Sequence, residues 1–101
     1  MIRASVQAET ELFHALLSLK TPEECARFLK DVTTPAELRA LSERWHVARL
    51  LDEGNLSYRE IHDATGVSTT TITRVARFLS HEVNQGYRLV LDRLKKQRHG
   101  R

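Results

Sequence analysis

The sequence predicts an all-α protein, and three observations carry that reading. Every apolar pattern has helical period: Cys25, Phe28, Leu29 and Val32 fall at i, i+3, i+4 and i+7, as do Ile72, Val75, Ala76 and Leu79, and again Tyr87, Val90, Leu91 and Leu94. No stretch alternates apolar and polar residues convincingly, so no strand is expected. Thr21-Pro22-Glu23-Glu24 and Thr34-Pro35-Ala36-Glu37 share one helix-start pattern, with a threonine N-cap, proline at the first helical position and an acid at the third.

Six helices are expected, near residues 8–20, 22–32, 35–53, 58–65, 69–80 and 85–97. The first is broadly apolar, through Leu12, Phe13, Leu16, Leu17 and Leu19. The second starts under Thr21 and carries the Cys25 stripe. The third starts under Thr34, and its stripe of Leu38, Leu41, Trp45, Ala48 and Leu51 is widened by Val47 and Leu50. The fourth begins in Ser57-Tyr58-Arg59-Glu60, a capping box flanked by Leu56 and Ile61 as a hydrophobic staple. The fifth opens under Ser68, and the sixth begins near Gln85. Gly54, Gly66 and Gly86 lie between elements, the first two just past helix ends, where a left-handed residue is wanted. Two helices with this much apolar surface point to a subunit interface, the alternative being a compact monomer core.

A chain of 101 residues suits one domain spanning 1–101, with 41% hydrophobic and 29% charged residues. Cys25 is the only cysteine, which excludes an intrachain disulfide and suits a reducing interior. The start, MIRASVQAETE, lacks the apolar core of a signal peptide, and no apolar run approaches a membrane span. A cytoplasmic protein with no membrane partner is expected. The net charge of +3 is unevenly placed: Met1–Leu56 has seven Lys/Arg against nine Asp/Glu, and Gln85–Arg101 six against one. That excess permits nucleic-acid binding. The basic tail, about 95–101, is either a solvated end or a phosphate contact.

The segment STTTITR, Ser68 to Arg74, is rich in threonine, which costs several tenths of a kcal/mol per helical position relative to alanine. Two short helices joined at Gly66 make a helix-turn-helix over about 57–80. With Ile72, Val75, Ala76 and Leu79 buried, the opposite face presents Thr70, Thr73, Arg74 and Arg77, with Thr69 toward the N-terminus. A helix in the major groove meets DNA mainly through its N-terminal residues. Threonine there keeps the backbone close, its hydroxyl reaches phosphates or base edges, and its methyl meets thymine. Arginine donates to phosphate or guanine. A recognition helix explains the threonines. His62 stands out, because such motifs usually hold a small residue there.

The stretch TPAELRALSERWHVARLLDEGNLSYREIHDATGVSTTTITRVARFL resembles the core of the Trp repressor superfamily, in its threonine-proline helix start, long helix, G-x-[LM]-S-x-R-E segment and T-I-T-R ending. EECARFL and NQGYRLVLDRL fit its YerC/YecD branch of small Trp-repressor-like proteins, and the match runs from about Thr21 to Leu94. The resemblance accommodates His62, where the Trp repressor also has a long polar residue. It implies a six-helix, intertwined homodimer with two recognition helices about one DNA turn apart. Carried over by position, Tyr58, Arg59 and His62 would face double-stranded DNA from the first helix of the motif, and Ser68, Thr69, Thr70, Thr71, Thr73 and Arg74 from the turn and second helix. In the family two arginines sandwich the indole of a tryptophan corepressor, and Arg44 and Arg74 match them. The family glycine after the second arginine is Val75 here, however, and the serine three residues later is Phe78. Both add bulk where a ligand needs space, so tryptophan is not expected as corepressor, and Arg44 and Arg74 read better as surface ion pairs or phosphate contacts. Trp45 is expected to fill dimer-core space.

Catalysis finds little support. His14, His46, His62, His81 and His99 are scattered without metal-ligand spacing, and the Glu43/His46 pair has no second copy. No glycine-rich phosphate loop is present. No enzyme, cofactor or metal is expected. The expected function is a sequence-specific, homodimeric transcriptional regulator. The alternatives are a helical protein-interaction dimer and a sequence-tolerant DNA binder.

Overall fold

The computed structural model describes residues 2–99 and consists there of six helices: α1 (Ile2–Leu17), α2 (Pro22–Val32), α3 (Pro35–Glu53), α4 (Tyr58–Thr65), α5 (Thr69–Ser80) and α6 (Gly86–His99). No strand occurs among the described residues. No helix there is long and apolar enough to cross a membrane. The described residues form two compact units, divided between Leu38 and Arg39.

Local hydrogen bonds set the boundaries in the first unit. The first helix starts earlier than the sequence suggests and also stops earlier, at Leu17 rather than residue 20. Its last turn tightens through Ser18 N–H to the Ala15 carbonyl at 3.1 Å and Leu19 N–H to the Leu16 carbonyl at 3.2 Å, while Ser18 Oγ also donates to the Ala15 carbonyl at 2.7 Å. Lys20 N–H then donates to the Glu24 carboxylate at 2.9 Å, and Glu24 N–H to Thr21 Oγ1 at 3.1 Å. The Lys20 N–H is thus engaged by the start of α2 rather than by α1. Apolar side chains here stay outside: Val6, Leu12, Phe13, Leu16 and Leu17 of α1 and Val32 of α2 are exposed, and α2 buries no residue.

The second unit holds the core. Val47 and Ala48 of α3, Ile61 of α4, Val67 of the turn, and Ile72 and Val75 of α5 form one buried cluster. Trp45, Leu50, Leu51 and Tyr87 pack against it, half-buried. The expected α5 stripe is observed, with Leu79 extending it and Ala76 half-buried. Charge ties α3 to α6. The Asp52 side chain, only 9% exposed, accepts a short hydrogen bond from Arg88 and one from Lys95 Nζ at 2.7 Å. Arg88 also lies 3.4 Å from Asp92, one turn along α6.

Gly86 is a correction. Expected between elements, it is the first residue of α6, with Gln85 as the residue before it at φ 50°. The expected basic tail is helical as far as His99, and residues 100–101 lie outside the described residues.

The glycines separate conformational need from packing. Gly66 closes α4 at φ +77° with open space where a Cβ would sit, so Gly66→Ala meets no clash and its cost is the left-handed backbone alone. Denaturant unfolding is expected to show Gly66→Ala less stable by about 1–2 kcal/mol, with Gly66→Asn milder. Gly86 has the same open space without a positive φ, and Gly86→Ala should instead gain about 0.5 kcal/mol.

Candidate nucleic-acid interface

The helix-turn-helix is built by reciprocal caps. Ser57 N–H donates to the Glu60 carboxylate at 2.8 Å, and Glu60 N–H to Ser57 Oγ at 3.1 Å, which completes the capping box expected at the start of α4. At its end the Gly66 N–H donates to the His62 carbonyl at 2.8 Å. Thr65 Oγ1 donates to the Ile61 carbonyl at 2.7 Å and accepts from Val67 N–H at 3.1 Å. Ser68 then caps α5, its Oγ accepting from Thr71 N–H at 3.2 Å.

His62 has a local partner as well. Its Nδ1 lies 2.7 Å from the Val67 carbonyl oxygen, and because a carbonyl only accepts, the ring must present an Nδ1–H there. The long polar residue at this position spans the turn and bonds its far side. An alanine could not.

On the outer side of α5, Thr69, Thr70, Thr73, Arg74 and Arg77 line one open concavity of about 410 Å³. Five of the expected DNA-facing residues are therefore brought together. Ser68 and Thr71 stand beside them but are occupied with the cap, Ser68 Oγ also donating to Thr71 Oγ1 at 3.1 Å. Thr73 Oγ1 donates to the Thr69 carbonyl at 2.9 Å, which spends its proton and leaves its oxygen to accept from a ligand. Tyr58, Arg59 and His62 are exposed on α4, outside this lining. Arg44, the other residue of the expected ligand pair, is half-buried on α3 and also outside it.

The two arginines of α5 are held differently. The Arg74 guanidinium lies over the Phe78 ring, 4.3 Å from its centre, and makes no ion pair among the described residues. Arg77 lies 5.3 Å from the same ring and pairs with Glu82 at 3.2 Å. The sequence does not anticipate Phe78 and Glu82 as parts of this surface. The Arg74–Phe78 spacing of i, i+4 is the available signal, whereas the Glu82 contact depends on how the chain leaves α5 and has no periodic signature.

A second concavity, about 360 Å³, is lined by Trp45, Phe78, Asn84, Gly86, Tyr87 and Val90. No group of three or more His, Cys, Asp or Glu among the described residues is arranged to hold a metal ion.

Comparison with known proteins relates the chain to one family. The sequence model of the Trp repressor protein matches residues 7–95. The chain is 48% identical over 85 residues to "Uncharacterized protein YerC" of Bacillus subtilis (strain 168), covering 84% of this chain and 80% of that one. It is 36% identical over 69 residues to a "Trp operon repressor homolog" of Photobacterium profundum, covering 68% and 67% respectively. Among solved structures, a TrpR-like protein from Eubacterium eligens ATCC 27750 superimposes with a TM-score of 0.81 at 44% identity, over 88% of this chain and 90% of that one.

The capping box gives the motif an acid-sensitive component. Bonds from the Ser57 backbone N–H and side chain hold the Glu60 carboxyl below its ordinary value of 4.5. A depressed folded value means that this contribution to stability is full above pH about 4.5 and is lost as pH falls through the lower folded value. Unfolding midpoints measured from pH 6 to 3 should therefore fall less steeply for Glu60→Gln than for the wild type. Equal slopes would show that the box carries no such linkage.

Proposed function

The chain belongs to the Trp repressor family, and from that premise we propose that it is a sequence-specific DNA-binding transcriptional regulator, acting as an intertwined homodimer without tryptophan as corepressor. The observation that carries the reading is the threonine–arginine concavity on α5, directly opposite the buried stripe of Ile72, Val75 and Leu79. Short hydroxyl side chains toward the helix start admit the helix deep into a major groove. Arg74 and Arg77 then reach guanine or phosphate oxygens. Thr70 and Thr73 supply acceptors and methyl groups, and Ser68, Thr69 and Thr71 bring backbone and cap toward phosphate. Tyr58, Arg59 and His62 flank them from α4 and position the motif on the backbone.

Two further observations support the finer points. Phe13 and Leu17 of α1 are 54% and 84% exposed in the single chain, an apolar surface that a second copy would remove from water. Val75 is 1% exposed within the core and Phe78 sits against Arg74, so both residues that replace the family's small ones are filled into this chain's own packing. That argues against an indole beside Arg44 and Arg74. The family is one of transcription regulators, and the site is a binding surface rather than a catalytic one.

The test is capture of sheared genomic DNA by the purified protein at two salt concentrations, followed by sequencing. A few fragments sharing a two-fold-related site and lost at high salt are expected. Unselective capture would indicate a sequence-tolerant binder, and no capture at either salt would overturn ligand-independent DNA binding. On the recovered site, Arg59→Ala should reduce the slope of log affinity against log salt by about 1 through loss of one phosphate contact. For the dimer, Phe13→Glu should lower the mass measured by sedimentation equilibrium from two chains to one, and an unchanged mass would move the interface elsewhere.

A further inference from the structure

We propose that Phe78 is a positioning residue for DNA reading, a ring that holds the Arg74 guanidinium ready for a base or phosphate. The proposal rests on the DNA-binding function argued above. Side chains on a helix lean toward its N-terminus, so the ring at position 78 is directed back over the preceding turn, where Arg74 emerges. The observed contact follows: Arg74 Cζ lies 4.3 Å from the ring centre, within the range in which the negative ring face attracts a cation. The ring is half-buried, and it also borders the second concavity together with Trp45, Tyr87 and Val90.

The nature of the contact matters for recognition. An ion pair uses guanidinium N–H donors, as Glu82 does for Arg77. A cation over a ring face is held through its charge and leaves its N–H donors available. Arg74 is thus oriented without being spent, with no ion pair among the described residues competing for it. A free arginine would have to be ordered on binding, at a loss of side-chain entropy that the ring has already met in the unbound protein. Arg77, 5.3 Å from the same ring, keeps Glu82 as a second holder, so loss of the ring falls chiefly on Arg74.

The experiment uses the full chain and the genomic site recovered by capture, with Phe78→Leu, Phe78→Tyr, Arg74→Ala and the double variant Phe78→Leu/Arg74→Ala. Each variant is first compared by thermal unfolding and sedimentation. Phe78→Leu keeps an apolar side chain of related size but removes the ring, and should weaken specific binding about threefold to tenfold while leaving unspecific binding little changed. Phe78→Tyr should restore it. In the double variant the loss should be no greater than in Arg74→Ala alone, because the ring acts through that arginine. Equal affinity of Phe78→Leu and wild type, or additive losses in the double variant, would overturn the proposal while leaving DNA binding intact. Should Phe78→Leu unfold, failure of Phe78→Tyr to bind as the wild type does would overturn it equally. Absence of DNA binding by the wild type would sink the functional reading, and this proposal with it.

Discussion

The burial of one face of α5 is the constraint on which the rest of the structure depends. Ile72 and Val75 are 0% and 1% exposed, packed with Ile61, Val67, Val47 and Ala48. Burying side chains of this size contributes about 1.5–3 kcal/mol each, against a total stability of about 5–15 kcal/mol for a typical domain. A rotation of α5 that gave up these contacts would cost a large share of the stability. With the buried face fixed, helical geometry decides the opposite one, and Thr70, Thr73, Arg74 and Arg77 must face outward. The outer surface is thus set by the inner one.

The same core specifies the turn. For Ile61 and Ile72 to meet, α4 must stop and α5 start within a few residues, which requires a left-handed residue at Gly66 and caps on both sides. Gly66, His62, Thr65 and Ser68 each satisfy a backbone group that this abrupt reversal would otherwise strand. Farther out, Asp52 gathers Arg88 and Lys95 and ties α6 to α3 by charge, beside the buried Leu91 and the half-buried Tyr87, while Leu89, Val90 and Leu94 remain exposed. An all-but-buried carboxylate with two cationic partners is costly to misplace, and so it specifies position.

Whatever depends on period or on local capping is legible in the sequence. The α5 stripe, the capping box at Ser57 and the glycine at Gly66 each rest on short-range spacing, and each lies where expected. The first helix shows where that reasoning ends. Its apolar residues predict its existence but not its limits, because Leu17 is a stopping point only once Glu24 takes the Lys20 N–H, a contact that period does not encode. Gly86 reads as a linker by residue type, yet a first helical position suits it as well. His62 stands out only while an outward polar residue is weighed without its partner, the Val67 carbonyl five residues on. Phe78 reads from the sequence only as bulk in a pocket; its i, i+4 spacing from Arg74 is a signal for that contact, whereas the approach of the adjacent Arg77 has no periodic signature.

The charge balance of the motif resolves a difficulty that composition raises. Residues 57–84 hold three Lys/Arg and three Asp/Glu, hardly the mark of a DNA-binding element. The structure keeps all three carboxylates, Asp63 among them, out of the concavity's lining. The Glu60 carboxylate is turned to the Ser57 N–H and is engaged in starting α4, and Glu82 is drawn to Arg77 beyond the end of α5. Neither lines the concavity, whose only charged members are Arg74 and Arg77. A neutral segment thereby presents a positive, hydroxyl-rich surface. Net charge bounds the long-range attraction of a domain for DNA, whereas the arrangement of a few carboxylates decides which face can make the contact. Under the proposed function, DNA binding by so modest a net charge would lean on contacts made at the surface of α5, where a single well-held arginine would count for more than on a strongly basic protein.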